Sequence, residues 1–161
     1  MADYPRRAGS LKRVRGFLTE QGLNEGIFEF EQSTKTAEQA AEAMGCEIGQ
    51  IVKSLVFLVG SQPVMVLVPG DKKGNSEAIS AHFGGGSVRF ADAQQVRTAT
   101  GYSIGGVTPF DLPRGLPVLA DSALSRYEVV YPAAGTPASM VRVRPDELFE
   151  LSGAQVAEIG H

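Results

Sequence analysis

The sequence predicts a single mixed α/β domain whose sheet is largely antiparallel and flanked by helices. Three observations predict it. Two β-branched apolar runs, Ile51 to Val59 and Val64 to Val68, are separated by Gly60-Ser61-Gln62-Pro63, a hairpin signal. Helix-start residues stand on both sides of that hairpin, at Thr36 and Asp92. Three more strand-like runs follow, at Val118 to Ala120, Glu128 to Tyr131 and Met140 to Val143. The chain has 161 residues with no internal repeat and no obvious linker, so one domain over 1–161 is expected, with 1–25 as an N-terminal helix region.

Each element has a local cause. Ser10 is a candidate cap for a first helix, because Leu11, Val14, Phe17 and Leu18 recur at helical spacing and Gly22 ends the pattern. Ile27 to Phe30 alternates apolar and acidic residues, as a half-buried strand does. Thr36 followed by Gln39 fits a capping box, opening an alanine-rich helix that Gly45 closes. After the hairpin, Pro69-Gly70-Asp71 turns the chain into a helix from about Ser76 to Phe83, and Gly84 to Gly86 form a turn. Asp92 caps a helix to about Thr98, and Pro145 suits the first turn of a last helix that buries Leu148, Phe149 and Leu151.

Composition removes several function classes. Hydrophobic residues make up 43% and charged ones 20%, which excludes a disordered chain. Apolar runs such as PVMVLVP are far shorter than the ~18–20 residues of a membrane helix. MADYPRRAGSLKRVRG has no apolar signal-peptide core, so the cytoplasm is the expected compartment and no membrane partner is expected. Cys46 is the only cysteine, and His82 and His161 the only histidines, which leaves neither a disulfide nor a histidine-rich metal site. No metal and no cofactor are expected. A net charge of −3 argues against coating nucleic acid through bulk charge, although Arg6, Arg7, Lys12, Arg13 and Arg15 form a local basic set.

Lys53 is the most informative residue. Alternation along the strand puts Ile51, Lys53, Leu55, Phe57 and Val59 on one face and Val52, Ser54, Val56 and Leu58 on the other. Both faces are otherwise apolar, so this strand is central and Lys53 needs an anionic partner or a cleft that admits one. The bland alternative is a lysine near a strand start that snorkels to solvent. A second feature is Thr100-Gly101-Tyr102-Ser103-Ile104-Gly105-Gly106-Val107-Thr108-Pro109, whose glycines let backbone groups approach a ligand closely. It matches neither a Walker loop nor GxGxxG, and an ordinary connecting loop is the alternative. Ser103 has no neighbouring histidine base, Cys46 reads as a structural thiol, and His82 as a helix-end contact. Lys72 and Lys73 are either a solvated turn or phosphate contacts beside a cleft.

The pieces TAEQAAEAMG, IVKSLVFLV, VPGDKKGN, ATGYSIGGVTPF, LPVLAD, YPAAGT and RPDELFEL, in that order, resemble the YbaK/EbsC family, the single-domain relatives of the editing insertion of bacterial prolyl-tRNA synthetase. The resemblance covers nearly the whole chain from about Ile27. It implies a strongly curved mixed sheet and a trans-editing hydrolase that cleaves the ester between a wrong amino acid and the 3′-terminal adenosine of a tRNA. It maps the family's lysine onto Lys53 as the catalytic residue. It maps the family's substrate loop onto Gly101, Gly105 and Gly106; with their neighbours, the expected substrate contacts are Ser54, Gly101, Tyr102, Ser103, Gly105, Gly106, Tyr131, Gly135, Thr136 and Ser139, and the basic pair Lys72 and Lys73 is the expected tRNA contact. The implied partners are aminoacyl-tRNA and an aminoacyl-tRNA synthetase.

Alanine-editing members resemble HPxxNT where this chain has Tyr131-Pro132-Ala133-Ala134-Gly135-Thr136. Members acting on cysteinyl-tRNA resemble this segment better, but they carry an acidic residue where this chain offers Ser139 or Met140. Cysteine or another small residue is therefore the expected amino acid. Two other readings stay open at this point: a non-catalytic tRNA- or synthetase-binding module of the same fold, and a hydrolase or binder for a small nucleotide-like ligand.

Overall fold

The structure is a computed structural model that describes residues 7–23 and 26–161, with the side chains of 7 and 8 left undescribed. Arg6, from the basic N-terminal set, lies outside the described residues. The elements run α1 (Arg7–Glu20), β1 (Ile27–Glu29), α2 (Ala37–Met44), β2 (Val52–Val59), β3 (Gln62–Pro69), α3 (Ser76–His82), β4 (Val88–Phe90), α4 (Ala93–Thr100), β5 (Val118–Asp121), β6 (Ser139–Val141), α5 (Pro145–Ser152) and β7 (Gln155–Ala157). Two short 3-10 turns, Ile48–Gln50 and Ser122–Arg126, precede β2 and follow β5.

The main sheet has the order β4-β2-β3-β5-β7, and β1 pairs with β6 in a separate two-stranded ribbon. The β2–β3 hairpin forms the longest ladder, from Val52 opposite Pro69 to Val59 opposite Gln62. The pairs β2–β4 and β1–β6 are also antiparallel, while β3–β5 and β5–β7 are parallel, so the sheet is mixed. Both faces of the hairpin are buried. Val52, Val56, Leu58, Met65 and Leu67 join Val14 and Leu18 of α1, Val118 and Ala120 of β5 and Leu148 of α5 in one core. Phe57, Val59, Val64, Val66 and Val68 join Ile79 of α3, Leu119 and Ile159 in the other. Each fully buried aliphatic side chain contributes about 1.5–3 kcal/mol, so the hairpin is a stable frame for the side chains it carries.

The capping signals act as the sequence implies. Thr36 accepts from the Gln39 N–H at 3.0 Å while the Gln39 side chain returns to the Thr36 N–H, and Asp92 and Gln95 repeat the arrangement on α4. Pro145 opens α5. Three local expectations are corrected. Ser10 is not a cap, because α1 begins earlier, at Arg7, and Ser10 is buried inside it. Glu128 to Tyr131 is not a strand; only isolated bridges form there, Val130 to Val143 and Tyr131 to Ile51. The following strand spans Ser139–Val141 rather than 140–143, because its register is set by β1. Strands β4 and β7 are additions, each three residues long and paired far along the chain. No described helix is long and apolar enough to cross a membrane.

One gap in this sheet positions the site. On its side away from β3, β2 is paired with β4 only from Phe57 to Val59. Val56 C=O accepts from the Ala91 N–H at 3.0 Å, and Val52 N–H donates to the Tyr131 carbonyl at 3.1 Å. Backbone groups alternate sides along a strand, so the peptide N–H and C=O of Ser54 face the same edge, between those two anchors. At Lys53 to Leu55 no described strand pairs with this edge.

Candidate active site

A cavity of about 370 Å³ occupies the gap, within the range typical of small-molecule sites. Its floor is β2 from Val52 to Val56. Its walls come from the turn Thr34–Thr36 and the start of α2, from Ile104, Gly105 and Val107 of the glycine-rich loop, from Phe90 and Ala91, and from Tyr131, Ala133 and Met140. The capping box at Thr36 fixes where α2 begins, and the Thr34 hydroxyl ties the preceding turn to the Pro137 carbonyl at 3.0 Å.

Lys53 projects from this floor, half-buried, and makes no ion pair with any described carboxylate. Desolvation pushes its pKa below the ordinary lysine value, and the positive charge of Lys73 pushes it the same way; Glu38 and Asp71 oppose them. Asp71 is held by Arg126 at 3.0 Å, which lowers its own pKa and partly neutralises its help to Lys53. The next residue, Ser54, adds a buried hydroxyl with no hydrogen-bond partner among the described residues. Lys35 is a second cation on the cavity wall, exposed and likewise without an ion pair among them.

The sequence-predicted site residues divide into two groups. Lys53, Ser54, Gly105 and Tyr131 line the cavity. Gly101, Tyr102, Ser103, Gly106, Gly135, Thr136 and Ser139 do not; the structure places most of them behind the wall. Gly101 ends α4 in the left-handed conformation, at φ 82°. Tyr102 is buried, and its hydroxyl donates to the Phe110 carbonyl at 2.7 Å, closing the glycine-rich loop on itself. Burial holds its phenol well above the usual tyrosine range. Ser103 is exposed, and its carbonyl accepts from the Gly106 N–H at 2.9 Å. Gly106 packs against Gly135, where a methyl group would lie 2.8 Å from the Gly135 carbonyl oxygen, and Gly135 in turn lies against Ser10 of α1. Thr136 and Ser139 share a hydroxyl–hydroxyl hydrogen bond of 2.6 Å.

Lys72 and Lys73 lie outside the cavity lining, on the turn after β3, and only the charge of Lys73 is felt at Lys53. The basic N-terminal set is partly committed elsewhere: Arg13 binds Asp111, and Arg15 binds Glu29 at 3.2 Å. Sequence reasoning missed Lys35, Phe90 and Ile104. The last two are large apolar residues left 66% and 59% exposed at the cavity rim. For Ile104 the available signal was a hydrophobic residue directly before Gly105-Gly106.

The chemistry available is narrow. Among the described residues no histidine, cysteine, aspartate or glutamate lines the cavity, and the titratable side chains that do are Lys35, Lys53 and Tyr131. No group of three metal-ligating side chains occurs among the described residues. The site therefore offers positive charge, backbone N–H and C=O, and hydroxyls. That set suits a ligand bearing phosphate or a polarised carbonyl.

Comparison with known proteins gives the same family from three directions. The model of the aminoacyl-tRNA editing domain matches residues 31–151. An uncharacterised protein of Bacillus subtilis, YwhH, is 37% identical over 148 residues, covering 91% of this chain and 94% of that one. EbsC of Enterococcus faecalis, provisionally assigned as a Cys-tRNA(Pro)/Cys-tRNA(Cys) deacylase, is 27% identical over 82% of this chain and 81% of its own. A crystal structure described as a candidate trans-editing enzyme for prolyl-tRNA synthetase superposes with TM-score 0.86 at 40% identity, over 94% of this chain and 97% of the other. The chain belongs to the aminoacyl-tRNA editing domain family, in its YbaK/EbsC group.

Proposed function

We propose that this protein hydrolyses the ester of a misacylated tRNA in trans, releasing cysteine or another small amino acid from the 3′-terminal adenosine. The observation that carries the reading is Lys53 on the open edge of β2, without an ion pair among the described residues, in a cavity that no described histidine, cysteine or carboxylate lines. An amide would need such a group. An aminoacyl ester is already activated, so positioning and charge stabilisation suffice.

In this account the aminoacyl group enters the gap beside Lys53 to Leu55. The Ser54 N–H and C=O, with its unpartnered hydroxyl, hold the amino acid's polar groups as an extra strand would. Water adds to the ester carbonyl carbon, and the Lys53 ammonium stabilises the negative charge that develops. The ester C–O bond then breaks, and the 3′ oxygen leaves with a proton from the attacking water, passed through the neighbouring ribose hydroxyl. The products are free amino acid and deacylated tRNA. No metal takes part. Ala37, Ala40, Ala133, Val107 and Met140 make the wall apolar and close, which favours a small side chain. Lys72 and Lys73 contact tRNA phosphates beside the mouth, and a prolyl-tRNA synthetase is the partner that supplies the substrate.

Deacylation of a panel of tRNAs charged with cysteine, alanine, serine and proline tests this reading. Release of at least one small amino acid well above the spontaneous rate, undiminished by chelators and in the Cys46→Ser variant, is the expected result. Binding without hydrolysis of any member would make the protein a tRNA-binding module instead.

A further inference from the structure

We infer that Phe90 is a stacking platform for the terminal nucleobase of a single-stranded RNA 3′ end; the inference rests on the deacylase reading for the identity of its ligand. Phe90 sits on β4, directly opposite Phe57. The two rings stack with centroids 4.5 Å apart and planes 29° from parallel, so Phe57 supports Phe90 from one side. Phe90 is nevertheless 66% exposed, an unusual state for a phenylalanine that could have been buried over the neighbouring apolar core. It also lines the cavity that holds Lys53.

The spacing favours a nucleotide. Phe57 follows Lys53 by four residues on the same face of β2, a separation of about 13 Å along the strand. The ribose of a terminal nucleotide and the ester it carries fit between the ammonium and the ring. Charge agrees with this occupant: Lys53 and Lys35 line the cavity and Lys73 lies close by, with no described carboxylate in the lining. An apolar peptide would gain nothing from those cations. Ile104, also in the cavity lining and 59% exposed, offers a second apolar surface to the same occupant. Aromatic stacking is tolerant of base identity, so this platform orients the end of the chain without selecting its sequence.

The test uses the full chain and a short single-stranded RNA ending in 2-aminopurine, whose fluorescence is quenched by stacking. Wild-type protein is expected to quench it saturably. Phe90→Leu, which keeps apolar bulk but has no π-face, should bind about tenfold more weakly and lose the quench, while Phe90→Tyr should keep both. With charged tRNA, Phe90→Leu should raise KM more than it lowers kcat. No quench by wild type, or equal quench and affinity in Phe90→Leu, overturns the inference. The readout does not depend on hydrolysis: quenching by a wild type that deacylates nothing would refute the deacylase and leave the platform standing, whereas normal deacylation with a quench unaffected by Phe90→Leu would refute the platform alone.

Discussion

Arg13 and Asp111 fasten the first helix to the far end of the glycine-rich loop. The Arg13 Nε donates to Asp111 Oδ2 at 2.8 Å, and a terminal nitrogen of the same guanidinium donates to the Asp111 carbonyl at 2.8 Å. The guanidinium carbon also lies 4.7 Å from the centre of the Tyr102 ring, and a methyl group on Gly101 would meet it. One side chain therefore grips both the start and the end of the loop that carries Ile104 and Gly105. Asp111 holds a positive φ of 54°, unusual for a residue with a side chain and costly unless its surroundings enforce it.

This clamp predicts an effect on substrate binding larger than on the chemical step. Arg13→Ala should raise KM several-fold with a smaller change in kcat, and should cost about 1 kcal/mol of stability, since the pair is partly exposed. Arg13→Lys should not restore KM, because an ammonium cannot make the two parallel bonds. A double-mutant cycle with Asp111→Asn, which tolerates the backbone conformation, should show coupling. Additive losses would mean the two residues act separately.

The glycines of the loop are expected to differ in what they tolerate. A methyl group at Gly106 meets the Gly135 carbonyl oxygen at 2.8 Å, a backbone atom that cannot swing aside. Gly106→Ala should therefore cost about 1–3 kcal/mol and lower thermal stability. At Gly105 the nearest atoms to such a methyl are flexible methylenes of Lys35, at 3.4 Å or more, although a φ of 94° strains any side chain there. Gly105→Ala should disturb the loop locally, raising KM with a smaller loss of melting temperature. Equal stability losses at both positions, read by thermal denaturation, would contradict this division.

These residues also show what was legible in sequence. Lys53 stood out because a lysine in a largely apolar strand has few reasons to be there, and the structure places it in the cavity lining. The Thr36–Gln39 box acts within four residues, so local chemistry specified the start of α2 without help from the fold. Ser10 misled for the same reason: it looks like a local cap, yet its burial against Gly135 is decided by a contact 125 positions away. Phe90 was illegible because its exposure depends on β4 pairing with β2 across a helix and a triple glycine. The shared wall of Gly106 and Gly135 likewise exists only once the chain has closed. Neither glycine advertises whether it meets a ligand or another backbone.

The charge around Lys53 predicts an alkaline limit to activity. If the ammonium is the working form, deacylation corrected for spontaneous hydrolysis should fall as pH rises through its pKa, which lies below the ordinary 10.5. Lys73→Gln removes a like charge, so it should move that limb to higher pH; Glu38→Gln removes a favourable charge and should move it lower. The stability linkage has the opposite sense. The folded state binds the proton less tightly than the unfolded chain, so Lys53 contributes stability that grows as pH rises from its lowered value towards 10.5. A limb that neither substitution moves would detach it from Lys53.

The most direct measurement is the single-turnover deacylation rate of Lys53→Ala, with Lys53→Arg beside it, on the best substrate of the misacylated panel. Removing a charge that acts on the developing oxyanion costs about 10²–10³ in rate in comparable sites. The account predicts a loss of that order in Lys53→Ala, partial retention in Lys53→Arg, and a melting temperature near that of the wild type in both. Wild-type turnover by a correctly folded Lys53→Ala protein would contradict it, and so would loss of activity accompanied by unfolding in both variants.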